Sequence, residues 1–289
     1  MVKFASCQYA IELFDGWDAY AAHLERLAGE AVEAGAQLLL LPEYAAMALT
    51  GLLPEAERGD LHKSIAAIQP LIPRWLDLCE AIACRHGVWF CPGSAPVLDA
   101  DGKYRNRAFL FGPQGPAGHQ DKIVMTRFER EQWFIAAGTG GLRSFDTPLG
   151  RLGILICYDN EFPMLARRLA EEGVELILAP SCTDTEAGYH RVRIGAQARA
   201  LENQLAVLVS PTAGSAPWSP AVDENFGRAA LYVPADYGMP PSGVFVESEA
   251  LTTQTSRWLI GEIDLEKVAA LRLGGQVALY RDWPEQFGL

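Results

Sequence analysis

Short apolar runs of β-forming residues alternate with amphipathic stretches along most of this chain, and nearly every apolar run ends in turn residues. That alternation restricts the chain to an α/β fold, because such strands bury their faces against the helices between them. Residues 2–8 read as a strand, 18–34 as an amphipathic helix and 37–41 as a second buried strand, a β-α-β unit with a right-handed crossover. Residues 73–86 read as a helix, 88–91 as a short strand closed by Pro92 and Gly93, and 97–108 as a hairpin around Asp101-Gly102. The alternation resumes with a strand at 152–156, a helix at 164–172, a strand at 174–179, a helix at 189–203 and a strand at 205–210. Hairpin-like strands at 229–233 and 258–263 make the sheet mixed, so two sheets packed face to face with helices outside are expected. The Pro- and Gly-rich stretch 214–243 reads as loops near a site. Residues 275–289 lack periodicity but carry Tyr280, Trp283 and Phe287, as a tail does that docks on the body or on another subunit.

With 49% hydrophobic and 21% charged residues among 289, a sizeable core is available. A formal charge of -12 argues against a nucleic-acid partner, which would need clustered Lys and Arg. No apolar run approaches the ~20 residues of a membrane helix. The opening MVKFASCQYA has no signal-peptide layout, and six cysteines without C-x-x-C spacing indicate neither zinc nor a redox pair, so a cytoplasmic protein without metal is expected.

Three junctions carry chemistry. In 150–163, GRLGILICYDNEFP, a buried strand delivers Cys157 to a polar turn ahead of Pro163, which suits the first turn of a helix. Backbone N–H groups at such a junction are suited to an oxyanion, although a free Cys is also an ordinary core residue. The run LLLLPEY places Glu43 at a strand's end, where burial would raise its pKa toward that of a general base; a helix N-terminal Glu is the plainer alternative. Lys122, in HQDKIVMTRFEREQW, is either a solvated surface charge or an ammonium held by Glu129. Together the three residue types make sense. A thiol of pKa ~8.5 needs a base as it attacks carbon, and the tetrahedral intermediate needs a fixed positive charge and an N–H. Glu43, Lys122 and the amide of Tyr158 meet those needs. Five histidines exist, but only His119 lies near a motif, which leaves a Cys-His protease without a signature.

These segments, with ARALENQ at 198–204, resemble the nitrilase (carbon–nitrogen hydrolase) superfamily in order and spacing over nearly the whole chain. The resemblance implies a four-layer α-β-β-α sandwich with two mixed sheets, forming a single domain over 1–289. It implies a catalytic triad of Glu43, Lys122 and Cys157, with Glu129 as the second active-site glutamate, acting on non-peptide C–N bonds without metal or organic cofactor. It also implies a homodimer or higher homo-oligomer to which the 275–289 tail contributes. TRFEREQW and SCTDT look most like a branch in which some members carry an acetyltransferase-like domain. Tyr158-Asp159 after the cysteine looks more like amidases and carbamoylases than like nitrilases, which tend to have Trp-Glu there. A small-molecule amide is therefore the expected substrate, with Tyr44, Tyr158, Cys182 and Thr183 lining its pocket. A nitrile, an N-carbamoyl compound or a catalytically idle binding protein remain the alternatives.

Overall fold

The computed structural model describes residues 1–251 and 254–288, and its core is built on two groups of strands. In the first group, Val2–Ala10 lies parallel to Leu38–Leu40, which lies parallel to Trp89–Cys91; the antiparallel strands Tyr104–Gly112, Ser94–Leu98 and Gly115–Asp121 follow. In the second, Gly150–Ile154, Leu176–Ser181 and Ala206–Ser215 run parallel, with Ser144–Thr147 and Ala230–Tyr232 antiparallel at the flanks.

The two mixed sheets are joined, which the sequence did not indicate. Val2–Ala10 changes partner along its length. Val2 to Gln8 pair antiparallel with Arg257–Ile263, whereas Tyr9 and Ala10 pair parallel with Thr212 and Ala213 of the second group. One hydrogen-bonded network results, with a seam only two residue pairs long. The seam is reinforced by buried hydroxyls: Ser6 Oγ donates to the Val209 carbonyl at 2.6 Å and Ser210 Oγ to the Cys7 carbonyl at 2.7 Å.

Side-chain alternation along each strand decides the layering. Phe4, Leu38 and Leu40 share a buried cluster with Ile154, Leu176, Leu178 and Val207, so the two groups bury these faces against each other. The intervening Ala5, Cys7 and Leu39 pack on Tyr20, Leu24 and Leu27 of the helix Trp17–Glu33 and on Trp75 and Ile82 of Ile72–His86. On the far side, Ala166 and Leu169 of Pro163–Glu171 and Val192, Ala196 and Ala200 of Glu186–Asn203 cover the second group. This is the burial that a four-layer α-β-β-α sandwich requires. Cys7, Cys79 and Cys91 are core thiols, and all six cysteines are free.

The expected strand and helix limits differ from those observed by a few residues. The strand leading to Cys157 ends earlier, at Ile154, and the helix at 189–203 begins earlier, at Glu186, capped by the Thr185 hydroxyl. The loop stretch 214–243 contains Ala230–Tyr232. The tail, described to residue 288, docks on its own chain. Arg167 donates to the Tyr280 carbonyl at 2.9 Å and lies 4.6 Å from the Tyr280 ring and 5.3 Å from that of Trp283. Among the described residues, no helix is long and apolar enough to cross a membrane.

Gly93 holds the approach to the site. Its φ of 77° is left-handed, and a Cβ there would overlap the Pro42 carbonyl oxygen, next to Glu43. Gly93→Ala should destabilise the fold by about 3 kcal/mol, combining left-handed strain with overpacking against backbone. Urea unfolding measures this; a change under ~1 kcal/mol would mean that the two backbones separate easily.

Candidate active site

Each chemical residue stands at or just beyond a strand end, where side chains leave the sheet and side-chain geometry is held by a rigid element. Glu43 follows Leu38–Leu40, Lys122 follows Gly115–Asp121, Cys157 follows Gly150–Ile154 and Cys182 follows Leu176–Ser181. Glu129 is positioned differently. The spacing Thr126-Arg127-Phe128-Glu129 forms a capping box at the start of the helix Arg127–Glu131, in which the Glu129 carboxylate accepts from Thr126 N at 2.9 Å. A helix start thus orients a buried carboxylate.

These elements bring Glu43, Lys122 and Glu129 into one buried cluster. Lys122 Nζ donates to Glu43 Oε1 at 2.7 Å and to Glu129 Oε2 at 2.6 Å. Asn106 Nδ2 bridges the same two carboxylates, at 2.8 Å to Glu43 Oε1 and 2.9 Å to Glu129 Oε1. The Tyr44 hydroxyl donates to Glu129 Oε1 at 2.7 Å, and the Cys182 N–H donates to Glu43 Oε2 at 2.9 Å. The Cys157 thiol faces the same segment, donating to the Cys182 carbonyl at 3.7 Å.

Electrostatics separate the two carboxylates. Burial pushes Glu43 above the ordinary glutamate range, only partly opposed by Lys122, and the Glu129 charge pushes the same way. Burial also acts on Glu129, but Lys122 and the hydrogen bonds from Lys122, Asn106 and Tyr44 pull it below that range. Burial disfavours the ammonium of Lys122, yet the Glu129 and Glu43 charges outweigh it and hold the pKa well above the lysine range. Burial and the Glu43 charge push the Cys157 thiol well up, against the pull of Lys122. The cluster therefore offers a proton-accepting carboxylate, a permanent anion, a fixed cation and a protonated thiol. Pairs of carboxylates driven apart in this way mark acid–base sites.

Cys157 opens a 3₁₀ turn, Cys157–Glu161, with a left-handed φ of 49°, and Tyr44 has φ 57°. Left-handed backbone at bulky residues is held only where its surroundings dictate it, and such residues concentrate at functional sites. Around Cys157, Asn160 Nδ2 donates to the Leu155 carbonyl at 2.9 Å and to that of Cys157 at 3.3 Å. Arg199 in turn donates to the Asn160 carbonyl at 2.8 Å, so the ARALENQ helix braces the turn from behind.

The expected lining residues take different parts. Tyr44 enters the cluster through its hydroxyl. Tyr158 is half-buried, with its ring edge-on to Phe162 at 4.9 Å. Cys182 contributes its backbone, while its thiol donates to Asn225 Oδ1 at 3.7 Å. The Thr183 hydroxyl donates to the Phe226 carbonyl at 2.6 Å, which fastens the loop across the site. His119 lies on Gly115–Asp121 against Phe109. Asn106 and Asp159 were not anticipated as part of the site. Asn106 carried no cue except its place in a strand, and Asp159 read as a turn residue.

The sequence profile described as Carbon-nitrogen hydrolase matches residues 3–273. The chain belongs to the carbon-nitrogen hydrolase family. It is 31% identical over 281 residues to a probable hydrolase, YhcX, of Bacillus subtilis (strain 168), covering 97% of this chain and 53% of that one; this chain thus spans about half the length of that relative. It is 31% identical over 216 residues to a protein named nitrilase of Pyrococcus abyssi (strain GE5 / Orsay), covering 74% of this chain and 76% of that one. The crystal structure of a carbon-nitrogen hydrolase from Helicobacter pylori G27 shares the fold, with a TM-score of 0.74 at 18% identity over 100% of this chain and 94% of that one.

Proposed function

We propose that this carbon-nitrogen hydrolase cleaves a non-peptide C–N bond of a small amide through a thioester on Cys157. The observation that carries the proposal is the pair of buried carboxylates on one lysine, with Glu43 pushed up and Glu129 pulled down, beside a protonated thiol. Glu43 takes the Cys157 proton as sulfur attacks the amide carbon. Lys122 and the Tyr158 N–H stabilise the oxyanion, and Glu129 holds Lys122 in place. The proton on Glu43 passes to the departing nitrogen, so ammonia or an amine leaves. Water then gives its proton to Glu43 and attacks the thioester, which releases the acid and restores the thiol. Tyr158-Asp159 after the nucleophile supports an amide; the Pyrococcus relative named nitrilase supports a nitrile as the second reading.

The test is ammonia release from ω-amides, N-carbamoyl compounds and nitriles, with Cys157→Ala alongside wild type. Release confined to wild type is expected; equal turnover by the variant would sink the nucleophile. The pH profile adds a second check. Glu43 must be ionised to act and its pKa is raised, so kcat/KM should fall as pH drops through a midpoint above 4.5.

A further inference from the structure

We infer that Asp159 is a positioning residue of this hydrolase, whose carboxylate ties the backbone just after Lys122 to the backbone just before Cys157. The inference rests on the Lys122 and Cys157 roles proposed above. Asp159 Oδ1 accepts from Val124 N at 2.8 Å and from Ile123 N at 3.2 Å, on the lysine side. Its Oδ2 accepts from Ile156 N at 3.3 Å, on the nucleophile side, and Asp159 N donates back to the Ile156 carbonyl at 3.0 Å. Ile156 directly precedes the left-handed Cys157, so the same carboxylate constrains the turn that aims the thiol.

Three features separate this arrangement from an ordinary turn cap. The side chain is fully buried, and among the described residues it forms no ion pair with Lys or Arg. A buried charge without a counterion in contact is costly, and a neutral Asn or Ser caps a turn at less expense. The two segments it joins come from the two different strand groups, so no regular sheet pairing sets their separation. Lys122 also feels the Asp159 charge. Burial pushes the Asp159 carboxyl up to about 7, opposed by Lys122 and the three N–H donors, so it is mostly ionised in an assay at pH 8.

Asp159→Asn keeps the shape, removes the charge and sets an amide donor against one of these N–H groups. With ~1 Å of misplacement between Lys122 and Cys157, kcat at pH 8 should fall by about 10- to 100-fold. KM should stay within about threefold, because the loss is of transition-state contacts. The rate of Cys157 alkylation by iodoacetamide should fall with kcat, while thermal unfolding shows the variant folded at the assay temperature. A structural clip alone would lower the unfolding temperature and leave the folded protein turning over normally; folded Asp159→Asn with wild-type kcat and alkylation overturns the inference. Where Asp159→Asn does not fold, Asp159→Glu, which keeps the charge one methylene out of place, carries the same two readouts with the same outcomes. Cys157→Ala in the same series keeps the two readings distinct. Activity retained in Cys157→Ala defeats the triad, whereas activity lost there and normal in the Asp159 variant defeats only the positioning role.

Discussion

Lys122→Met should cost this protein both the proposed hydrolase activity and much of its stability. Lys122 is 1% exposed and is the only cation donating to either Glu43 or Glu129 among the described residues. Its removal leaves two buried carboxylates facing each other, and breaking a buried pair in this way costs about 3–5 kcal/mol. The pH dependence of that loss identifies its origin. Glu43 already has a raised pKa and, without the ammonium, takes up a proton more readily in the folded state. A raised folded pKa gives stability that is present at low pH and lost as pH rises, so the deficit against wild type should be smaller near pH 5 than at pH 8. Urea unfolding at the two pH values reads this directly. At the same time kcat should fall by about 10²-fold or more, as when an oxyanion donor is removed. A loss confined to KM would show that Lys122 binds ground state and transition state alike.

Glu43→Gln should preserve the shape of the cluster and remove the proposed base, lowering kcat by about 10²- to 10⁴-fold. The thiol itself reports the reason. With burial holding Cys157 well above 9.0, little thiolate exists at neutral pH, and alkylation there depends on Glu43 taking the proton. In Glu43→Gln only the thiolate route remains; losing the Glu43 charge eases ionisation of the thiol, but burial still opposes it, so the alkylation rate should be lower than wild type at pH 7 and should rise with pH. Wild-type alkylation at neutral pH would remove Glu43 from the role of base.

The α/β order and all three strand-end junctions were legible in the sequence because they depend on local pattern. Leu38–Leu40 and Leu176–Ser181 are buried on both faces and stand out as apolar runs. The join between the sheets was not legible, because the partner change within Val2–Ala10 involves residues some 200 positions apart and alters no periodicity. The turn Ala45–Leu52 is apolar except for Thr50 and is buried from Ala45 to Gly51, so it had no helical stripe to reveal it. At the site, Glu43, Lys122 and Cys157 announced themselves by reactive chemistry at strand ends. Asn106 and Asp159 did not, since a hydrogen-bonding strap between distant segments has no local signature. Thr126 had one: its spacing to Glu129 is that of a capping box.

The short seam at Tyr9 and Ala10 also bears on when the thiol is dangerous to its surroundings. Glu43, Lys122 and Glu129 hang from one strand group and Cys157 from the other, and the sheet joins the groups over two residue pairs only, with packing and the Asp159 strap supplying the rest of their alignment. Parting the groups exposes the apolar faces they bury against each other, so Glu43 and Cys157 separate only when that shared core opens. Reactivity is thus tied to closure, and a chain whose two strand groups have parted carries a sulfur with no partner to activate it.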